Sequence, residues 1–129
     1  FPNLIFKNLK KSKAKYMFIA VPTVSLSVFL ENSFQNTFPR VLGGVHNNLY
    51  SEKSLNFITK KYKLKIIGEW WFGTDIMDLM RTVITNSKNF NKELYEKSFH
   101  KYFISIMDDL QAVIDKNKLC SDVHMIISK

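Results

Sequence analysis

Cysteine is all but absent: Cys120 is the single one in 129 residues, which excludes an internal disulfide and fits a reducing cytoplasm. Arginine is scarce too, with Arg40 and Arg81 the only two among 19 basic residues. Base readout and bidentate phosphate recognition favour arginine, so this scarcity argues against a nucleic-acid reader. The four glycines are Gly43, Gly44, Gly68 and Gly73, and no Gly-x-Gly occurs. A glycine-rich loop that lets a nucleotide cofactor approach the backbone is therefore excluded. No apolar run is long enough to span a bilayer. Residues 16–30 are apolar but carry Pro22 and several hydroxyls, and no small-residue cleavage site follows, so they are not a signal peptide. His46, His100 and His124 are scattered and Cys120 adds no ligand spacing, so no metal site is expected.

What remains is a chain suited to a packed core. Apolar residues make up 46% of the sequence, a proportion that excludes disorder and predicts one domain. The formal charge of +8 and the sequence pI near 9.6 would suit an anionic partner. The lysines that supply the charge are nevertheless spread along the chain, apart from short runs in 7–15 and 60–65, as on a solvated surface. The first residue is phenylalanine, which reads as processing, trimming or membership of a longer polypeptide.

Residues 2–9 give a short helical face with Leu4, Ile5 and Leu9. Residues 16–21 (YMFIAV) are apolar on both faces, which predicts a strand in the middle of a sheet, ended by Pro22. In residues 23–45, Val24, Val28 and Phe29 could share a helical face before a loop and a turn at Gly43-Gly44. Ser51 is a good N-cap for a helix that buries Leu55, Phe57 or Ile58, and Tyr62, with Tyr50 stapled onto Leu55. Residues 64–72 (LKIIGEWWF) follow as a strand. Thr74 then caps a helix with Asp75 in its first turn and Ile76, Leu79, Met80, Val83 and Ile84 on its apolar face. Residues 92–116 space apolar side chains by three and four, predicting one long amphipathic helix used in core or lid packing. Residues 122–128 (DVHMIIS) close the chain as a strand. The alternation of helices and strands is α/β.

This order of elements resembles the C-terminal half of a class I S-adenosylmethionine-dependent methyltransferase of small-molecule type. LKKSKAKYMFIAVPT is similar to the segment holding that family's fifth strand, with Lys11-Ser12-Lys13 where Pro-Gly-Gly is common. VHNNLYSEKSLNFITKKYKLKIIGEWWFGTD is similar to the His-containing stretch before the sixth strand, and LCSDVHMIISK to the final strand. The resemblance implies a partial methyltransferase domain over residues 1–129 with a Rossmann-like sheet of three strands. The last strand runs antiparallel between the other two, helices pack on the sheet, and a helical insertion covers about 74–117. It also implies S-adenosylmethionine as cofactor, a small-molecule methyl acceptor as substrate, and a missing N-terminal half that carries the cofactor loop. The fragment alone is then expected to be inactive. Three strands would leave an edge unpaired and an apolar face bare, so it should be marginally stable or oligomerise.

By family position, His46 is the candidate base or substrate hydrogen-bond donor, the alternative being a loop histidine bonded to backbone. Asn47, Trp70, Trp71 and Asp75 are the candidate substrate-binding residues. Adjacent strand residues face opposite ways, so one tryptophan at most can line a given pocket while the other packs a helix. Asp75 also reads as a helix-dipole partner. No cofactor-binding residue is expected in this piece. A second reading is a non-catalytic basic α/β module on nucleic acid or another anionic partner, whose binding would weaken steeply with salt.

Overall fold

The computed structural model describes residues 2–44 and 46–129, and Val45, the last residue of the 23–45 stretch, lies outside them. Three strands form one sheet: β1 (Tyr16–Pro22), β2 (Lys65–Phe72) and β3 (Asp122–Ser128). Its order is β1-β3-β2, and β3 pairs antiparallel with both neighbours. The terminal strand thus lies between two strands that share a direction, as expected. The architecture is mixed α/β. No described helix is long and apolar enough to cross a membrane.

Alternation along β3 explains the core. Val123, Met125 and Ile127 point to one face and are buried. Helix α1 (Pro2–Lys11) brings Phe6 and Leu9 onto that face, and α3 (Glu52–Lys61) brings Leu55, with Leu64, Trp71 and Cys120 completing the cluster. The α1 residues expected inside, Leu4 and Ile5, are exposed instead, because the helix turns Phe6 and Leu9 inward. In α3 the capping box forms between Ser51 and Ser54, and of the two candidates it is Ile58 that packs on the core while Phe57 faces solvent.

Cys120 is fully buried. Burial first, then the negative charges of Asp115 and Asp75, push its thiol up to about 12. Two results are expected. In the folded protein the thiol should resist a disulfide-exchange reagent below pH 9 and react at once in urea. The unfolded thiol ionises near pH 9, its ordinary value, and the folded one near 12. Its contribution to stability is therefore complete below 9 and lost as pH rises from 9 to 12. Urea melts across that range, compared with Cys120→Ala, check this; equal pH dependence in both proteins would refute it.

The opposite face of the sheet is bare. Phe18 is 63% exposed, Trp70 64%, and even Ile126 on the central strand 44%. His124 sits among these rings, 5.2 Å from Phe18, 5.8 Å from Trp70 and 4.7 Å from Phe72 between centroids. Contrary to the expectation of a middle position, β1 is an edge strand here. Among the described residues β3 alone pairs with it, and its outer face is open as well, with Tyr16 and Phe18 exposed. The other edge, β2, is blunted by a register irregularity between Ile66 and Gly68 and by charged Lys65 and Glu69.

Three further expectations need correction. Helix α2 (Leu26–Ser33) buries Ser27 and Leu30 while Val24 and Phe29 are exposed, because Ser27 is drawn into a polar cluster. Thr74 holds the N-cap position of α4 (Asp75–Asn86), but its side chain makes no capping bond. Residues 92–116 form the expected unbroken helical run, passing from α5 (Lys92–Leu94) through a π-helical turn (Tyr95–Phe99) into α6 (His100–Lys116), but none of the three has a buried residue. Its apolar stripe is therefore not core: Ile114 reaches the central cluster, whereas Tyr102 and Val113 lie open.

Candidate functional site

β1 and β2 end side by side with the start of β3, and the chain there folds into a network of buried polar groups. Asp75 opens α4 and is wholly buried. Its Oδ1 accepts from the Ser27 amide at 3.0 Å and lies 2.7 Å from Ser27 Oγ; its Oδ2 accepts from the Ser121 amide at 2.9 Å. One carboxylate thus ties α2, α4 and the entry to β3. Gly73 makes this possible: a Cβ there would overlap Asp75 Oδ2 and lie 2.9 Å from the Ser121 amide.

One helical turn on, Asp78 faces Arg40. The Arg40 Nη2 and Nε donate to Asp78 Oδ2 at 2.7 and 2.9 Å, and Nη2 also reaches Ser121 Oγ at 2.9 Å. Ser27 Oγ stands 2.8 Å from the same Asp78 oxygen, so its single proton serves Asp75 or Asp78 but not both at once. Burial alone would lower the Arg40 pKa, but the hydrogen bond and charge of Asp78, with Asp122 and Asp75 behind, raise it overall. Arg40 is a fixed cation. Its loop is held by Glu31, which accepts from the amides of Val41 and Leu42 at 2.7 Å each, and Gly44 adopts a φ of 85° that favours glycine.

A cleft of about 360 Å³ opens beside this network. Arg40, Gly73 and Thr74 form its inner end, Ile76, Met77 and Arg81 one wall, and Met107, Asp108 and Gln111 the other. Gln111 locks the walls together, accepting from the Ile76 amide at 3.0 Å and donating to Asp115 at 2.7 Å. The cleft begins just past the end of β2, at Gly73 and Thr74, and lies between α4 and α6.

The sequence candidates are not gathered in this cleft. Asp75 lies behind it as a buried tie. Trp70 lies on the bare sheet face and Trp71 in the core at 7% exposure, so neither faces the cleft. His46 and Asn47 are exposed on the loop before α3. The His46 Nδ1 lies 2.9 Å from the Val41 carbonyl, which can only accept, so Nδ1 is the donor of this bond. Sequence reasoning missed Arg40, Asp78, Ser27 and Ser121. One signal was available: the two arginines of a lysine-rich chain both line this cleft.

The donor half of a methyl-transfer site does not fit these residues. Gly73 is packed against Asp75 and Ser121, Gly68 is inside a strand, and Gly43-Gly44 precede a loop rather than opening a helix. No family model, curated protein or solved structure matches the chain.

Proposed function

We propose that this chain is the acceptor-facing half of an S-adenosylmethionine-dependent methyltransferase acting on a small molecule. The observation that carries the reading is the sheet order, with the terminal strand antiparallel between two co-directional strands and a cleft at their carboxyl ends. An acceptor in that cleft would be oriented by walls that the bond between Gln111 and the Ile76 amide ties together, and orientation is a large part of what such a transfer requires. The donor loop is supplied by polypeptide outside these residues. The composition of β1, apolar on both faces yet at an edge, and the bare sheet face support a domain that continues past that edge.

The test is calorimetric titration of S-adenosylmethionine into the complete polypeptide containing these residues, and into the 129-residue chain alone. Saturable binding is expected in the first and none in the second. Absence of binding in both would end this reading. Salt-sensitive binding of nucleic acid with no donor binding would favour the basic-module alternative instead.

A further inference from the structure

The groups lining the cleft differ in how much of their bonding capacity is already used. Arg40 is committed to Asp78 and Ser121. Gln111 is committed to Ile76 and Asp115. Arg81 is not: its closest carboxylate oxygen is Asp78 Oδ1, 3.7 Å from Nη1, well beyond a charge-assisted hydrogen bond, and its side chain is 64% exposed. The other oxygen of Asp78 already takes Arg40 and lies beside Ser27, so Arg81 cannot find a second partner there. A guanidinium is a rigid planar fork that matches a carboxylate with two parallel bonds, which a lysine cannot do. Ile76 and Met77 on the same wall as Arg81 and Met107 on the facing one supply apolar lining, with the thioethers able to adapt to different shapes. Across the cleft stands Asp108, exposed and, among the described residues, in no ion pair. It offers an acceptor to a hydroxyl hydrogen and repels a second negative charge.

Resting on the reading of this cleft as an acceptor site, we propose that its ligand is a small hydroxylated monocarboxylate with an apolar body. The carboxylate lies on Arg81, the apolar part on Ile76, Met77 and Met107, and the hydroxyl toward Asp108. The volume of about 360 Å³ suits a molecule of one or two rings, at the small end of ligand pockets.

The experiment uses the complete polypeptide containing these residues with ¹³C-methyl methionine, titrated with 3-(4-hydroxyphenyl)propanoate and separately with its neutral primary amide. Of the five methionines in these residues, Met77 and Met107 line the cleft, Met80 is buried on α4, and Met17 and Met125 stand on β1 and β3 at the core. The carboxylate is expected to shift the Met77 and Met107 methyls saturably, and to bind about tenfold more tightly than the amide. Arg81→Gln should remove that preference while leaving the unliganded spectrum in place, since the residue is exposed; Arg81→Lys should restore part of it. Equal affinity for acid and amide, an unchanged preference in Arg81→Gln, shifts confined to Met17 and Met125, or no binding at millimolar probe would each overturn the proposal. Its failure is separable from that of methyl transfer. Anion preference with no donor binding by the complete polypeptide would remove the methyltransferase and leave the ligand class standing. Methylation of a neutral or cationic acceptor, unaffected by Arg81→Gln, would do the reverse.

Discussion

Replacing Asp75 with alanine is expected to lower stability by about 3–5 kcal/mol, because it strands two buried amide donors at once and removes an acceptor of the buried Ser27 hydroxyl. The Ser27 and Ser121 amides would each lose their acceptor inside the protein, while Ser27 Oγ would keep Asp78 and go on accepting from Arg40 Nη2. Asp75→Asn should fall between wild type and alanine. Its amide retains one oxygen, but the nitrogen then meets an N–H donor, since both carboxylate oxygens accept in the native network. Urea denaturation at neutral pH measures both. A loss below about 1 kcal/mol for Asp75→Ala would mean that the carboxylate acts as an ordinary helix-terminus charge and not as the tie between α2, α4 and β3.

The two adjacent tryptophans should respond very differently to the same change. Trp71→Ala is expected to cost about 3–5 kcal/mol, the range for emptying a large aromatic site in a core. The indole is 7% exposed, packed in the central cluster, with Lys118 Nζ 5.5 Å from its ring centroid. Its Nε1 is buried without a partner, so Trp71→Phe should cost far less than alanine, no hydrogen bond being lost. Trp70→Ala should cost no more than about 1.5 kcal/mol, since it removes only aromatic contacts on a solvent-facing surface. Those contacts are Phe72 at 4.6 Å and His124 at 5.8 Å. Denaturation midpoints of the three variants decide the matter. Equal losses for the two alanine variants would show that the outer face is covered in solution, for example by a second copy, and sedimentation would then report the association.

These expectations separate two kinds of information in the chain. The strands are legible because each is a short run rich in apolar, β-forming residues, whereas the alternating burial of 122–128 is not, since Met125, Ile126 and Ile127 are apolar in succession. The capping box at Ser51 was legible in part, Ser51 itself being evident while its partner Ser54 was not, because hydroxyl reciprocity at that spacing is a weaker signal than a glutamate. Which side of a helix faces inward was less legible where apolar residues ring it. Helix α1 offers Leu4, Ile5, Phe6 and Leu9, and only the docking of α1 on the sheet selects the last two. The stripe of residues 92–116 carries a helical period without a partner surface to bury it, and periodicity alone cannot distinguish a core-facing stripe from an uncovered one.

The sequence by itself determined an α/β chain with three apolar strands, no disulfide, no glycine-rich loop and no described membrane-spanning helix. Those properties depend on residues close together in the chain, where backbone propensity, turns and composition act. The polar tie of Asp75 to Ser27 and Ser121 spans 48 and 46 residues, and the Arg40–Asp78 pair spans 38. Tertiary structure alone decided those contacts, and with them the cleft. Each is a hydrogen bond whose strength depends on burial, and burial exists only after the ends of β1 and β2 have been brought together at the start of β3.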